Sequence, residues 1–400
     1  MSRRYDVVVA GAGPAGSVAA LALARAGARV ALIEKGRFPR DKLCGGFLSG
    51  EAAALLARLG LEARFPVRSR AVIDRLAVTA PRGIQAETPL PGDGPAWGIA
   101  RRVLDEALAS AAAEAGVELI TETIVASVEQ ASRSEEGPLT VVCRPHGGSG
   151  SGERLRAAHA VAADGRDRGL ARRFGPGSTA PGARAAGAAR RPFGIQAFFE
   201  APATSPRTVE VHFAAFGYLG LQPVGDGLVT ACALVHPEAD GTARTPDALV
   251  ERFKAESEAI AGRLRGALRV SPWLAVGGLR FGARGPRAGP ILCAGDAAGS
   301  IEPFTGEGMS IAIASGLLAA GAILEAPCDP ASVYVRRWNA AFAARLRACR
   351  LLAAASAWQP LQRTGLRVLA AHPAFAGRLV AWTRTAAPGT GAPGALTTTV

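Results

Sequence analysis

Two patterns of apolar positions divide the chain. The run Val7, Val8, Val9, Ala10 is short and wholly apolar, which predicts a parallel strand buried on both faces, and residues 28–33 repeat it. Between them, residues 17–26 are rich in strong helix formers, and Gly27 stops the helix. A further helix is predicted over 103–115. Strands are predicted over 117–120, 124–129, 139–144 and 158–163, with a glycine-rich hairpin loop at 145–152. From 193 to 281 the character changes to short, aromatic-rich segments at 196–200, 208–213, 218–223, 228–235 and 274–281, interrupted by one helix over 246–264. With 71–80 and 83–88 they predict an antiparallel sheet. At 290 the first pattern resumes: Ile291, Leu292, Cys293, Ala294 run into Gly295 and Asp296. A β-rich unit is thus inserted into a discontinuous α/β unit. Residues 174–189 read as a mobile connection and 387–400 as a disordered tail.

The chemistry sits where the apolar strands stop. The first ends at Gly11-Ala12-Gly13-Pro14-Ala15-Gly16. In that order Gly11 permits a tight turn, Gly13 admits a pyrophosphate close to the backbone, and Gly16 lets the helix pack on the strand. Glu34, with Lys35 behind it, closes the second strand where an acid accepts ribose hydroxyls of an adenine nucleotide. A carboxylate there suits the unphosphorylated ribose of FAD or NAD and disfavours NADP at this site. The late strand ends at Gly295-Asp296-Ala297-Ala298-Gly299, followed by Pro303-Phe304-Thr305-Gly306-Glu307-Gly308. The two stretches read as the two ends of one FAD site.

Composition narrows the class. Apolar residues make up 49% and charged residues 20% of 400 positions, enough for one large domain or two interlocked ones. Cysteines at 44, 143, 232, 293, 328 and 349 show no metal-ligand spacing, and read as reduced thiols of a cytoplasmic protein. Neither a signal peptide nor an uninterrupted run of about 18 apolar residues is found. The net charge of +13 is almost all arginine, with lysine only at 35, 42 and 254. Residues 331–400 hold nine arginines and no acid, interleaved with Leu351, Leu352, Trp358, Leu361, Leu369, Phe375, Leu379 and Trp382. This predicts basic amphipathic helices that cap the body; the other reading is peripheral contact with an anionic membrane or an acidic carrier protein. No recognition motif accompanies the charge, so nucleic acid is not an expected partner.

The order of these motifs resembles the FAD-dependent monooxygenase superfamily with the hydroxybenzoate-hydroxylase fold, over most of residues 5–385. Within it the likeness is to the geranylgeranyl-reductase-like branch, which neighbours the flavin halogenases. The resemblance implies a Rossmann-like FAD-binding domain in three pieces, 1–66, 101–175 and 283–328. An antiparallel-sheet substrate domain would take 67–100 and 176–282, with C-terminal helices over 329–386. It further implies that the segment Arg40 to Gly46 passes the flavin ring, with Cys44 near the isoalloxazine and Gly45 giving backbone contact. Arg101 would hold the phosphates, with Arg102 as the competing candidate, and Val125 would lie against adenine. Asp164 belongs to a middle motif for FAD and pyridine-nucleotide handling; the usual serine four residues on is Arg168. Asp296 would accept the ribityl hydroxyls. Backbone N–H groups of Gly306, Gly308 and Met309 at a helix N-terminus would stabilise negative charge at N1/O2 of reduced flavin.

FAD leaves the reaction open. The reading preferred from sequence is a monooxygenase. It would hydroxylate an aromatic, polyketide-like or lipid-tailed substrate with molecular oxygen through a C4a-hydroperoxyflavin. No second GxGxxG is present, so either NAD(P)H, the reductant expected here, docks transiently on the surface or another protein supplies the electrons. The alternative is a prenyl or alkene reductase. That branch carries a Tyr-x-Trp-x-Phe-Pro run, of which Tyr218 and Pro223 remain while Gly220 and Gln222 replace Trp and Phe. Halogenation is disfavoured for want of a Trp-x-Trp-x-Ile-Pro run and of a suitably placed lysine. A flavin-binding electron-transfer protein is the reading from another class. Glu210 and His212 share one strand face, and His212 is a candidate general base if that face lines the cavity; otherwise it is a satisfied sheet residue. Cys44 is the other catalytic candidate. Phe213, Tyr218 and Pro223 are substrate candidates in an aromatic sheet. No metal site is expected.

Overall fold

The first apolar run becomes the strand Arg4–Ala10, buried throughout from Val7 onward. In the computed structural model the described residues are 3–81, 83–91, 94–130, 139–148, 152–167, 169–170, 191–200, 205–236, 245–357, 359–372, 377–379 and 381. Arg4–Ala10 lies between Val30–Ile33 and Glu153–Ala162, parallel to both. Glu153–Ala162 pairs in parallel with Ile291–Cys293, and Val30–Ile33 with Glu118–Ile120. Strands this apolar need cover on both faces. The helices Pro14–Arg25, Arg101–Glu114 and Gly308–Glu325 contribute to that cover, and their buried residues merge with the strands in one core. Thr123–Gln130 and Leu139–Pro145 extend the sheet as an antiparallel ribbon.

The second sheet runs Leu268–Arg269, Phe193–Glu200, Leu228–Val235, Gly217–Pro223, Thr208–Ala214, Arg75–Ala80, Ile84–Pro89. The expectation of an all-antiparallel sheet is corrected at one seam, because Thr208–Ala214 pairs in parallel with Arg75–Ala80. The segment 71–80 also divides. Ala71–Ile73 joins a small sheet with Phe47–Leu48 and Ala96–Gly98 before the chain enters the large one. The helix expected over 246–264 is two, Pro246–Glu256 and Glu258–Arg263. Ser257 is extended (φ −143°), and its side chain accepts from Ile260 N to cap the second. Only Leu274–Val276 of the 274–281 segment is paired.

Two basic helices, Pro330–Ala357 and Gln359–Ala371, close the molecule. The first packs Tyr334, Trp338, Phe342 and Leu346 into the main core, and Tyr334 Oη donates to the Cys293 carbonyl at 2.7 Å. Gly308–Glu325 is long and apolar enough to cross a membrane by length and composition, with 56% of it buried within the protein. The connection at 174–189, the tail at 387–400, and Arg168, Trp358, Phe375 and Trp382 fall outside the described residues.

Candidate active site

Three strands end side by side. Ala163 N donates to Ala10 O at 2.7 Å and Ala294 N to Ala162 O at 2.9 Å, so the turns after them open into one crevice. Ligands of open α/β sheets bind at such carboxyl ends. The glycines there have steric reasons to be glycine. Gly11 has φ +99°, and a Cβ on it would lie 2.4 Å from Ala163 O; one on Gly16 would lie 1.9 Å from Gly11 O. The helix Pro14–Arg25 starts at Gly13 with no side-chain cap, which leaves its first N–H groups for an anion. The late fingerprint is pressed against the early one. A Cβ on Gly316 would lie 2.2 Å from Ala15 O, so Gly308–Glu325 meets Pro14–Arg25 backbone to backbone. Ser315 Oγ accepts from Gly295 N at 2.8 Å and fixes the turn that carries Asp296.

The charges around this crevice are ordered. Glu34 is buried and accepts from Ala12 N (2.9 Å), Gly36 N (3.0 Å) and Arg40 Nη2 (3.2 Å). Arg101 grips Asp105 with Nε (2.8 Å) and Nη2 (2.7 Å), and Arg40 Nη1 reaches the same carboxylate at 3.0 Å. Burial works against the Arg101 charge, but Asp105 holds its pKa above the ordinary value. Asp296 has Arg166 Nε 4.0 Å away.

Two cavities share the crevice. The larger, about 910 Å³, is lined by Gly11, Gly13, Glu34, Lys35, Val125 and Asp164 among others. The smaller, about 190 Å³, is lined by Gly13, Pro14, Ala15, Cys44, Gly45, Arg101, Tyr218, Gly295, Asp296, Gly306, Gly308 and Met309. Gly16 lies beneath them as a packing residue. The fit to FAD is direct. The large cleft, lined by Glu34 and Val125, would take the adenosine, the uncapped helix start would take the diphosphate, and the smaller cavity, lined by Asp296, would take the ring. Gly306 (φ +70°) turns the loop Pro303–Thr305 into the helix Gly308–Glu325, and a Cβ on it would strike the Phe47 ring at 2.8 Å.

The second sheet presents Tyr218, Cys232 and Leu234 to the smaller cavity. Tyr218, Gly220 and Gln222 share a face with Phe213 and Val211 on one neighbour and with Leu234, Cys232 and Thr230 on the other. Phe213, Tyr218 and Phe304 meet edge-on with ring centroids 5.8 to 6.0 Å apart, and Leu279, Phe281, Leu366 and Leu369 complete the cluster. Phe213 lies beside Tyr218 on the same sheet face but outside both cavity linings. Pro223 lies at the strand end, outside both cavity linings. Burial holds the Tyr218 hydroxyl well above its usual pKa and pushes the Cys232 thiol to about 12, with Cys44 nearby adding to it.

The expectation for His212 is corrected. His212 and Glu210 pair across the ladder with Leu219 and Leu221, which face the helices Pro246–Glu256 and Glu258–Arg263. His212 is 1% exposed, with Thr79 Oγ1 2.6 Å from Nδ1 and Glu210 Oε2 3.2 Å from Nε2; Arg263 Nε donates to Glu210 at 3.0 Å. The shared face exists, but it points away from the flavin crevice. Glu307, between Gly306 and Gly308, is 0% exposed and ion-paired with Arg345, which also reaches Glu51 at 2.9 Å. Sequence reasoning missed Lys42 and Arg166, which line both cavities, and Phe304. It also missed Glu302, whose carboxyl burial pushes up to about 7. Lys42 carried a signal, as a lysine in a chain that otherwise uses arginine, and Phe304 stands inside the Pro303–Gly308 motif; Arg166 and Glu302 carried none.

Comparison with known proteins agrees with this geometry. Residues 4–326 match the FAD binding domain family. The menaquinone reductase of Mycolicibacterium smegmatis is 30% identical over 80% of this chain and 76% of its own. Digeranylgeranylglycerophospholipid reductase 2 of Methanopyrus kandleri is 31% identical over 84% and 81%. Among solved structures, the flavin-dependent brominase Bmp2 superposes with a TM-score of 0.77 at 19% identity, covering 95% of this chain and 93% of that one. A geranylgeranyl bacteriochlorophyll reductase-like protein of Thermoplasma acidophilum gives 0.71 at 19%, covering 96% of each. At that identity the structures speak for the fold alone. The chain belongs to the FAD binding domain family, as a flavin-dependent oxidoreductase of the geranylgeranyl-reductase-like group.

Proposed function

We propose that this oxidoreductase reduces a double bond in an isoprenoid-bearing lipid, such as a menaquinone or a geranylgeranyl lipid. The observation that carries this reading is the apolar lining that Tyr218, Leu234, Leu279, Phe281 and Ile301 give the smaller cavity, with Phe213 and Phe304 packed edge-on against Tyr218. Such a wall suits a hydrocarbon chain and excludes water. The names of the relatives at 30% and 31% identity support it.

When bound, FAD supplies the hydride equivalent that such a reduction needs. The protein's own residues supply the rest. The N–H groups of Gly308 and Met309, at a helix start with no side-chain cap, favour negative charge at the cofactor's pyrimidine edge. Tyr218 keeps its proton throughout the physiological range, and Glu302 holds one up to about pH 7, so both stand as proton donors beside the smaller cavity. NAD(P)H is the proposed electron source. Cytoplasmic location with peripheral membrane contact fits a lipid substrate.

Hydroxylation of an aromatic or polyketide-like compound is the second reading. It is favoured by the strand Gly217–Pro223, where Gly220 and Gln222 stand in place of the bulky Trp and Phe of the reductase run. Anaerobically reduced protein mixed with a polyunsaturated menaquinone or a geranylgeranyl lipid should reoxidise and saturate the chain. Inert behaviour there, with substrate-dependent oxygen uptake and a hydroxylated product in air, would replace the first reading by the second.

A further inference from the structure

The two cavities meet at residues that line both of them, and among these is Lys42. Its ammonium approaches the turn after Glu153–Ala162; a Cβ on Gly165 would lie 3.4 Å from Nζ. Among the described residues it makes no hydrogen bond and no ion pair, although Arg40, Arg101, Asp105 and Asp296 all act on it. The carboxylates around it are engaged elsewhere. Asp105 is held by Arg101 and Arg40, Glu34 by two backbone N–H groups and Arg40, and Asp296 has Arg166 at 4.0 Å. Burial, and after it Arg101, lowers the Lys42 pKa, as expected of an ammonium awaiting an anion. Gly13, whose helix start is uncapped, lines the same junction.

FAD laid along the crevice has its adenosine in the large cleft and its ring in the small cavity. Its two negative charges therefore fall at the junction. We propose that Lys42 is a further cofactor-binding residue whose ammonium pairs with the FAD diphosphate, opposite the uncapped helix start and alongside Arg101. The inference rests on family membership and the two-cavity geometry, and is independent of which substrate is reduced.

The test uses apoprotein titrated with FAD, with ADP as a competitor that carries the diphosphate without the ring, and with riboflavin, which carries the ring without the diphosphate. Lys42→Met should weaken FAD and ADP alike by about tenfold or more, the loss of one charge-assisted hydrogen bond, and leave riboflavin unchanged. Lys42→Arg, which keeps the charge, should bind FAD close to the wild type, and the salt dependence of FAD binding should be shallower in Lys42→Met than in either. Equal FAD affinity in the Met and Arg variants, whether tight or weak, would overturn the proposal. So would a riboflavin loss as large as the FAD loss.

Discussion

Glu302 stands one residue before the loop Pro303–Thr305, and its carboxyl titrates at about 7 because burial disfavours its charge. The folded pKa lies above the ordinary 4.5, so whatever this group adds to stability is present below 4.5 and lost as pH rises through 7. The rate of flavin reoxidation by substrate should therefore show a transition near pH 7, flat in Glu302→Gln; the same transition in both proteins would remove Glu302 from the chemistry. His212 leads to the opposite expectation. Buried between Thr79 and Glu210 on the far face, it supports the sheet. His212→Leu should lower the melting temperature, by about 1–3 kcal/mol of stability for the stranded partners, and leave FAD affinity intact. A large loss of turnover at unchanged stability would return it to the active site. The difference between the two residues shows what a sequence can carry. Period-2 alternation tells that Glu210 and His212 share a face, but the side that face takes depends on which helices pack there, and those come from 246–263. The fingerprint glycines were legible from local demands, the positive φ of Gly11 and the Gly11 carbonyl that a Cβ on Gly16 would strike, whereas the Ala163 oxygen that faces Gly11 comes from a distant segment.

At the scale of elements, the close crossing of Gly308–Glu325 on Pro14–Arg25 brings the two fingerprints together. Gly316→Val should force the helices apart at the Ala15 carbonyl, cost about 1–3 kcal/mol in urea unfolding, and weaken FAD binding in the same variant. Stability lost without any change in FAD affinity would mean that the crossing is structural only. The strands and helices that form the cofactor crevice were read from sequence because a buried parallel strand is uniformly apolar and its glycine stop is sharp. The seam between Thr208–Ala214 and Arg75–Ala80 was not, because pairing direction between segments so far apart in the chain leaves no local mark. The helix break at Ser257 was also hidden, since its neighbours are ordinary helix formers and only the capping bond to Ile260 N reveals the restart.

Across the whole molecule, one buried ion network joins the C-terminal helices to the cofactor loop. Arg345 of Pro330–Ala357 holds Glu307, next to Gly306, and Glu51 of the helix Gly50–Arg58. Removing it with Arg345→Met strands the buried Glu307 and should cost about 3–5 kcal/mol, with FAD released early in urea unfolding. Unfolding that matches the wild type would show the network to be dispensable. None of these partners is near another in sequence, so only the fold reveals that the basic C-terminal region is wired to the loop that faces the flavin.

The central claim is that two remote segments form one FAD site, and FAD titration of the apoprotein tests it most directly. The account predicts one FAD per chain, with affinity weakened about tenfold or more by Asp296→Ala at the late segment and by Gly13→Val at the early one. Failure of the wild-type chain to take up FAD, or indifference of its affinity to both substitutions, would contradict it.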